Sequence, residues 1–395
     1  MLLGVTGSVA AYKAAELARL MLKRGYKVRV VMTKSAAEFV GPLTFEAITG
    51  VHVISDFFND GEIVGNAHIE CADWADIFLI APGTANIISK IAQGSGDCAI
   101  SSVALATAAP LVIAPAMNVN MWENPATQEN IGLLQSRGIT IVAPDKGDLA
   151  CGWQGQGRFA HPWEIFHVVR RTLSAGDYFG KRVLITAGPT RETIDPVRFV
   201  SNRSSGKMGV ALAREAYRRG ADVTLVHGPV RVKVPRDIQK IEIGNSKELA
   251  SVMNFEVFES ETPPDIVIMA AAVADYRPKE VFDEKIKKAN FPTKIEMIKN
   301  PDILAELGEK RADAARPVLV GFAVETGEID ELLVEVRSKL ERKNADMIVG
   351  NLASEALELD TNRVWLIDKN GKQQEISTSF KSRVANKILD RAKKL

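Results

Sequence analysis

The stretch that decides the fold, residues 186–209, reads Thr-Ala-Gly-Pro-Thr-Arg-Glu-Thr-Ile-Asp-Pro-Val-Arg-Phe-Val-Ser-Asn-Arg-Ser-Ser-Gly-Lys-Met-Gly. It follows a predicted apolar strand, Val183–Ile185, and leads into a predicted helix, Met208–Arg219. A second strand is predicted at Val223–Val226. Short apolar runs separated by a helical period are typical of a β-α-β unit. The sequence therefore predicts a parallel sheet whose first connection is unusually long and polar.

The end of this connection, Ser204-Ser205-Gly206, stands where the helix should begin. Free backbone N–H groups and the positive end of the helix dipole at such a place suit an anion, most often a phosphate. Positive charge accumulates nearby, on Arg191, Arg198, Arg203 and Lys207. The alternative is a capped helix after a surface loop, but long structured loops in compact domains are usually functional. We therefore predict an anion-binding site here.

Composition excludes several classes of protein. The chain has 395 residues, 46% hydrophobic and 25% charged, with a net charge of +1. A net charge this close to zero gives the protein no overall positive potential that would attract nucleic acid or an anionic membrane. We therefore predict neither partner. No apolar run approaches the roughly 20 residues of a membrane helix. Three well-separated cysteines and the absence of signal-peptide features at the N-terminus favour a cytoplasmic location.

The chain begins the same kind of fold twice. The first start is a strand at Leu2–Val5, a turn at Thr6-Gly7-Ser8, a helix at about Val9–Arg24 and a strand at Lys27–Met32. Further strands are predicted at Ile77–Ala81, Leu111–Ala114, Thr140–Val142, Ile266–Ala270, Val318–Phe322, Met347–Val349 and Val364–Ile367. Apolar strands alternating with helical periods indicate parallel sheets covered on both faces.

We therefore predict an α/β protein with two Rossmann-like or flavodoxin-like domains, each a mostly parallel sheet with helices on both faces. The predicted domains are residues 1–175 and 181–395, joined by a linker at 174–180, where Gly176 and Gly180 interrupt a helical pattern. Binding sites in such sheets lie beyond the carboxyl ends of the strands.

Four polar segments of the first half follow predicted strands, namely Thr6–Ala10, Ala81–Asn86, Pro115–Trp122 and Cys151–Arg158. The amide of Asn118 can offer a donor and an acceptor to a planar ligand or a carboxylate. Three glycines follow Cys151, which favours a mobile flap, although an inert exposed thiol stays an alternative.

The remaining histidine and cysteine candidates are less decisive. His68 stands at the start of a helical pattern, where a capping or surface histidine is the alternative to a functional one. Cys71 and Cys98 lie among small apolar residues, and we expect them to be buried and inert. No set of Cys, His, Asp and Glu residues has the spacing of a zinc site.

Motifs in both halves resemble known enzymes of coenzyme A biosynthesis. Those of the first half are Gly4–Lys13, His68-Ile69-Glu70, Pro115–Asn118 with Met121-Trp122, and Ala150-Cys151-Gly152. Those of the second half are Ala187–Glu192, Ser201–Gly209, Ala270–Tyr276 and Lys285–Lys288. The first set resembles phosphopantothenoylcysteine decarboxylase and the second phosphopantothenate–cysteine ligase. In this order, and over essentially the whole chain, they resemble the bifunctional enzyme family.

For the first half, the resemblance implies an FMN-dependent decarboxylase. FMN oxidises the substrate thiol to a thioaldehyde, which accepts the electrons left by CO2, and the reduced flavin later returns a hydride. His68 would act during oxidation and decarboxylation, Asn118 would hold the carboxylate, and Cys151 would donate the last proton. The implied FMN-binding residues are Gly7, Ser8, Val9, Thr33, Ser35, Thr84, Ser101, Ser102 and Met117.

For the second half, the resemblance implies a ligase that activates 4'-phosphopantothenate with CTP and Mg2+ as an acyl-cytidylate, which cysteine then attacks. Asn202 and Lys285 are the implied catalytic residues. The implied substrate and nucleotide contacts are Ala271, Asp275, Lys285, Pro301, Asp302, Ile303, Leu304, Phe322, Lys339 and Lys343. Another nucleotide stays an alternative. Asn351-Leu352-Ala353 departs from the family's usual Asn-Asp pair, and its contacts are left open.

The resemblance also implies small-molecule partners and a homo-oligomer, with trimeric decarboxylase domains, dimeric ligase domains and assemblies up to a dodecamer. Two other functions are weighed against it. A flavoprotein acting on another substrate would leave the second half unexplained. A non-catalytic regulatory module is disfavoured because His68, Asn118 and Cys151 occur together.

Overall fold

The computed structural model describes residues 1–55, 67–150, 152–287, 291 and 294–395. Cys151 therefore lies outside the described residues. The chain divides into two compact units, Met1–Ser174 and Ala175–Leu395. Within the described ranges, no helix is long and apolar enough to cross a membrane.

The first unit is built around a five-stranded parallel sheet with the order β2-β1-β3-β4-β5. Its described strands are β1 (Leu2–Val5), β2 (Arg29–Met32), β3 (Phe78–Gly83), β4 (Leu111–Pro115), β5 (Thr140–Ile141), β6 (Asp145–Asp148) and β7 (Gln154–Arg158). Its described helices are α1 (Ala11–Lys23), α2 (Lys34–Ala37), α3 (Pro42–Thr49), α4 (Ala67–Trp74), α5 (Ala85–Gln93), α6 (Ala99–Ala106), α7 (Val119–Glu123), α8 (Pro125–Ser136) and α9 (Pro162–Thr172).

Both faces of this sheet are buried, which explains the continuous apolar runs in its strands. In β1, Leu3 joins one hydrophobic cluster with Leu17 of α1, whereas its neighbour Leu2 joins another with Phe78 and Ile100. Because successive strand residues point to opposite faces, each face receives its own core. The strand order is the flavodoxin-like one, and ligands in that order bind where β1 and β3 lead to opposite sides.

The glycine-rich stretch that was interpreted from the sequence as a mobile flap contains an ordered strand. Strand β7 pairs antiparallel with β6. A Cβ at Gly157 would overlap the carbonyl oxygen of Met117. The two residues are also hydrogen-bonded, since the N–H of Met117 donates to the carbonyl of Gly157 at 3.0 Å. The glycine is therefore needed for the close approach of this strand to the segment after β4.

The second unit contains an eight-stranded sheet with the order β12-β11-β8-β13-β16-β17-β18-β19. Its described strands are β8 (Arg182–Ala187), β9 (Arg191–Thr193), β10 (Phe199–Ser201), β11 (Asp222–His227), β12 (Gln239–Glu242), β13 (Ile266–Met269), β14 (Tyr276–Pro278), β15 (Met297–Lys299), β16 (Val318–Glu325), β17 (Met347–Leu352), β18 (Thr361–Asp368) and β19 (Gln373–Phe380). Its described helices are α10 (Lys207–Arg218), α11 (Ser246–Asn254), continued by a π-helical turn (Phe255–Glu259), α12 (Ile303–Arg311), α13 (Ile329–Arg342), α14 (Ala353–Ala356) and α15 (Lys381–Ala392).

The predicted fold class is confirmed. In the eight-stranded sheet, β12, β11, β8, β13, β16 and β17 run parallel, and β18 and β19 continue the sheet antiparallel. The β-α-β unit read from the opening stretch is β8, α10 and β11, with Val183 beside Val223. Its long connection is not only a loop, since β9 and β10 form an antiparallel hairpin within it. The sequence analysis did not foresee this hairpin.

Residues of the predicted linker are held by the second unit. Tyr178 is fully buried, and its hydroxyl donates to the carbonyl of Leu389 at 2.7 Å. Beside it, the Asp177 carboxylate pairs with the Arg219 guanidinium at 2.5 Å and with the Lys393 ammonium at 3.3 Å. The hydrogen bond from Arg219 lowers the pKa of Asp177 to about 2.

This pair makes the stability of the second unit depend on pH. Because the pKa of Asp177 is lower folded than unfolded, its contribution is present above about pH 4 and is lost as pH falls toward 2. Asp177→Asn should lower the free energy of unfolding by about 0.5–1 kcal/mol at pH 6. Urea titrations at pH 6 and pH 2.5 should show the difference from wild type shrinking at low pH. Asp313→Asn, at an exposed position, is the control. If Asp177→Asn lowered the free energy of unfolding by the same amount at both pH values, the assigned ion pairing of Asp177 would be contradicted.

Candidate active sites

A cavity of about 490 Å³ lies at the carboxyl ends of β1, β2 and β3 in the first unit. The turns after β1 and β3 are tied together there by Thr6. Its hydroxyl donates to the carbonyl of Pro82 at 2.6 Å and accepts from the N–H of Thr84 at 3.1 Å. The lining of this cavity includes Gly7, Thr33, Lys34, Ser35, Ser55, Thr84, Asn86, Lys90, Asp97, Cys98 and Met121.

The cavity wall is built from helix starts and one close backbone approach. Thr33 caps α2 by accepting from the N–H of Ala36 at 3.2 Å, and Thr84 caps α5. A Cβ at Gly7 would lie 2.6 Å from the Cβ and Oγ of Ser35. The turn after β1 can therefore approach the turn after β2 only because it carries a glycine. The backbone N–H groups at the start of a helix suit an anionic ligand.

Predicted cofactor residues divide into two groups. Gly7, Thr33, Ser35 and Thr84 line the cavity, whereas Ser8, Val9, Ser101, Ser102 and Met117 are not among its lining residues in the described part of the chain. Ser101 is fully buried, and its hydroxyl donates to the carbonyl of Cys98 at 3.1 Å. The Ser102 hydroxyl donates to the carbonyl of Gly96 at 3.0 Å. These two serines hold the start of α6 and the turn before it.

The cavity also contains residues that the sequence analysis missed. Lys90 pairs with Asp97 at 2.8 Å, and this hydrogen bond raises the pKa of Lys90. Cys98 is half-buried, lines the cavity and lies 3.2 Å from the Ser101 hydroxyl, so the expectation that it is buried was wrong. Cys71 is buried as expected, and burial raises the pKa of its thiol.

The predicted catalytic residues of the first unit lie elsewhere in its fold. His68 is in the first turn of α4. Asn118 precedes α7, and its side-chain oxygen accepts from the N–H of Asn120 at 2.9 Å. Neither is among the described residues that line the cavity, and Cys151 lies outside the described residues. Their catalytic grouping therefore stays a prediction.

A larger cavity, of about 890 Å³, lies at the carboxyl ends of β8, β13, β16 and β17 in the second unit. The structure brings nearly all the predicted ligase residues together in its wall. These are Asn202, Ala271, Asp275, Pro301, Asp302, Ile303, Leu304, Phe322, Lys339 and Lys343. Asn351, whose contacts were left open, lines it too.

The loop after β13 is fixed by two buried threonines. The Thr186 hydroxyl accepts from the N–H of Ala271 at 3.0 Å, and the Thr190 hydroxyl accepts from the N–H of Ala274 at 3.0 Å. Both threonines are fully buried. The sequence analysis missed their role, although both belong to the opening stretch. They hold the backbone of the predicted binding loop in one conformation.

Two asparagines also hold this loop. The Asn202 amide donates to the carbonyl of Val273 at 2.9 Å. The Asn300 amide donates to the carbonyl of Ala274 at 2.7 Å. Asn202 therefore links the segment before α10 to the loop after β13, with its side-chain oxygen still available to a ligand in the cavity.

The helix start predicted to bind an anion lies in this cavity. Gly206 precedes α10 with a φ of +70°, a left-handed conformation that favours glycine. A Cβ there would also lie 3.2 Å from the N atom of Gly188. The lining includes Ser204, Ser205, Gly206, Lys207 and Arg203. The N–H groups at the start of α10 are thus grouped with two basic residues, as an anion requires.

Two of the four basic residues expected there, Arg191 and Arg198, have contacts within or beside the β9–β10 hairpin. The Arg191 guanidinium stacks on the ring of Phe199 at 4.5 Å from the ring centre. Arg198 pairs with Asp195 at 3.3 Å and stacks on Phe291 at 4.2 Å. Neither is among the described lining residues of the cavity, and their contribution of charge to the anion site stays a prediction.

Other cations of the second cavity are held by carboxylates. Lys339 pairs with Glu325 at 3.0 Å, and Lys343 pairs with Asp302 at 3.2 Å. Asp302 also caps α12. These contacts place both ammonium groups at the wall where the predicted nucleotide contacts lie.

Lys285 is placed differently from the other predicted ligase residues. It is exposed and is not among the described lining residues of the second cavity. The adjacent backbone is held by the hairpin, since the N–H of Ile286 donates to the Asp195 carboxylate at 3.3 Å. Its catalytic role stays a prediction. Among the described residues, no group of three or more His, Cys, Asp or Glu side chains could hold a metal ion.

Comparisons with known proteins cover both units. The family model described as Flavoprotein matches residues 1–174, and the one described as DNA/pantothenate metabolism flavoprotein C-terminal domain matches residues 178–395. The coenzyme A biosynthesis bifunctional protein CoaBC of Vibrio cholerae is 43% identical over 394 residues, which cover 98% of this chain and 96% of that protein. The chain belongs to this bifunctional family. The resemblance read from the motifs is thereby confirmed.

Another relative and one solved structure are also similar to this chain. The CoaBC protein of Bacillus subtilis is 41% identical over 396 residues, which cover 98% of this chain and 95% of that protein. A crystal structure of the C-terminal domain of a CoaBC protein aligns with a TM-score of 0.46 and 38% identity, covering 56% of this chain and 97% of that domain.

Proposed function

We propose that the protein catalyses two consecutive steps of coenzyme A biosynthesis. The second unit joins cysteine to 4'-phosphopantothenate through an acyl-cytidylate formed with CTP. The first unit decarboxylates the product, 4'-phosphopantothenoylcysteine, to 4'-phosphopantetheine with FMN. The observation that carries the proposal is the second cavity, which groups Asn202, the Ala271–Asp275 loop and the Pro301–Leu304 turn around one anion-binding helix start.

The position and the hydroxyl-bearing lining of the first cavity support FMN binding. The cavity lies where the connections after β1 and β3 lead to opposite sides of the sheet. Proteins with this strand order bind FMN at that position. The phosphate would lie at the Gly7 turn, which a Cβ would close, with the Thr33, Ser35 and Thr84 hydroxyls around it. When bound, FMN supplies the reversible oxidation that gives the departing CO2 an electron sink.

The protein's own residues then handle protons and the carboxylate. We assign His68 as the group that moves a proton during oxidation and decarboxylation, and Cys151 as the final proton donor. Asn118 would hold the substrate carboxylate through its amide, the oxygen of which already accepts from Asn120. The alternative of a non-catalytic module does not account for this set.

Gly7→Ala should weaken FMN binding without unfolding the first unit. The added methyl would meet Ser35 and push apart the two turns of the phosphate site. Overpacking of this kind costs about 1–3 kcal/mol, or roughly tenfold or more in affinity. Flavin fluorescence titration of the apoprotein would measure it. Gly41→Ala, where a Cβ meets nothing within 4 Å, is the matched control, and equal affinities for the two variants would contradict the phosphate assignment.

The second unit would work chiefly by electrostatics. Activation of the carboxylate and displacement of pyrophosphate both move negative charge, which Arg203, Lys339 and Lys343 can stabilise from the cavity wall. Lys207 would bind the nucleotide phosphates throughout the reaction. Phe322, which lines the same cavity, would contact the base. Mg2+ usually keeps several waters and binds through substrate phosphates, so the described residues need not form a cage for it.

The nature of the nucleotide products tests this assignment. CTP should support ligation better than ATP, with one CMP and one pyrophosphate released for each cysteine joined. Chromatography of the nucleotides after a single turnover would show this. ADP or CDP with inorganic phosphate would indicate an acyl-phosphate instead and would overturn the nucleotidyl mechanism.

The remaining proposals concern organisation. We propose that the two activities divide at residues 174–180, with the decarboxylase domain at 1–175 and the ligase domain at 181–395. The partners are small molecules, with no nucleic acid or membrane. We further propose a cytoplasmic homo-oligomer with trimeric decarboxylase and dimeric ligase domains, up to a dodecamer. Size measurement by light scattering tests the assembly.

A further inference from the structure

Lys381, the first residue of α15, is buried at the edge of the second cavity with 7% of its surface exposed. Its ammonium donates to the carbonyls of Ala356 at 2.9 Å, Thr361 at 3.0 Å and Leu359. An ammonium has three donors and no acceptor, and all three donors are used. Lys381 therefore cannot hold a ligand directly in this conformation, but it fixes the turn formed by residues 356–361.

The same turn also holds Lys207. The Lys207 ammonium donates to the carbonyl of Glu358 at 2.8 Å and to the carboxylate of Asp360 at 2.7 Å. Lys207 directly follows Gly206, at the helix start that we assign to the anion. Two of its three donors face the turn, which leaves one for an anion in the cavity.

This arrangement costs free energy. Burial, together with the nearby charge of Lys207, lowers the pKa of Lys381 to about 8. Glu358 adopts a left-handed backbone conformation with a φ of +59°, which is unfavourable for a residue other than glycine. Buried charge and backbone strain persist only where the surroundings fix them, and they concentrate at functional sites.

We propose that Lys381 is a positioning residue of the ligase site, which fixes the 356–361 turn so that the turn holds Lys207 against the nucleotide phosphates. This inference rests on the proposed ligase function. It assigns to the 356–361 turn, which has no predicted contact with substrate, the task of aiming a cation.

Lys381→Met should raise the KM for CTP about tenfold, the loss of about 1.4 kcal/mol expected when one charge-assisted contact is misplaced. The kcat should change less than about threefold, because the contact is made equally in the ground and transition states. Lys387→Met, an exposed lysine on the same helix, is the matched control and should keep the wild-type KM.

A double-mutant cycle separates positioning from a merely structural role. If Lys381 acts through Lys207, then Lys207→Met combined with Lys381→Met should have the KM of Lys207→Met alone. Asp360→Asn, at an exposed side chain, weakens the link but keeps the three carbonyl acceptors of the Lys381 ammonium. It should give a smaller effect that also disappears in the Lys207→Met background. The Asp360→Asn variant tests the same inference if Lys381→Met fails to fold.

Additive effects in the cycle, or a wild-type KM in folded Lys381→Met, would overturn the inference. Neither would affect the proposed function, which fails separately if the wild-type protein does not ligate cysteine at all. The decarboxylation of supplied 4'-phosphopantothenoylcysteine is assayed on each variant and should be unchanged.

Discussion

His68→Asn is expected to lower the rate of decarboxylation by at least about 100-fold, the smallest usual contribution of a general acid or base. Asparagine keeps a polar side chain of similar reach but cannot transfer a proton. Because His68 is not among the described residues of the first cavity, the variant should keep its FMN and its yellow colour. Ligation should also be unchanged, since it is assigned to the second unit.

The measurement is CO2 release from supplied 4'-phosphopantothenoylcysteine, with mass spectrometry of the products. His52→Asn is the matched control, because His52 is also in the first unit, pairs with Glu46 at 2.7 Å and has 73% of its side chain exposed. A normal decarboxylation rate in His68→Asn would show that the catalytic assignment is wrong. Loss of bound flavin in that variant would instead place His68 in cofactor binding.

Asn202→Asp is expected to slow ligation roughly 10- to 100-fold, the equivalent of about 1–3 kcal/mol. The aspartate loses the donor that reaches the carbonyl of Val273. The new carboxylate would also lie beside the Val273 carbonyl and the phosphodiester of the intermediate. Both of these groups carry negative charge on oxygen and would repel the carboxylate. If the loss falls on the second step, the variant should form acyl-cytidylate and transfer it slowly to cysteine.

Quenched-flow detection of labelled intermediate, with and without cysteine, would separate the two steps. Asn370→Asp adds the same charge at an exposed position of the second unit and should ligate normally. Wild-type ligation by Asn202→Asp would refute its role, and a simultaneous loss of decarboxylation would point to general misfolding.

Much of the fold could be predicted because each unit buries both faces of a sheet. Runs such as Leu2–Val5 and Val183–Ile185 are apolar at every position, and turns and helical periods separate them. The position of the second cavity followed from the rule that parallel strands place their ligands at their carboxyl ends. The residues of that site are far apart in sequence, and the motif resemblance was needed to group them.

Other features depend on tertiary contacts that local pattern does not encode. The β9–β10 hairpin is only three residues long on each strand, too short for a clear alternation of polar and apolar residues. The stacking of Arg198 on Phe291 could not be predicted either, because Phe291 lies far along the chain. Lys381 gave no signal at all, since its three acceptors are backbone carbonyls.

The central claim is that one chain joins cysteine to 4'-phosphopantothenate and then decarboxylates the product. It is tested most directly by incubating the purified protein with 4'-phosphopantothenate, CTP, Mg2+ and carboxyl-labelled cysteine, and following products by mass spectrometry with time. We predict transient 4'-phosphopantothenoylcysteine, then 4'-phosphopantetheine and labelled CO2, with CMP and pyrophosphate, and none of these products without CTP. Failure to form 4'-phosphopantothenoylcysteine, or its accumulation without CO2 release by the FMN-loaded protein, would contradict the claim.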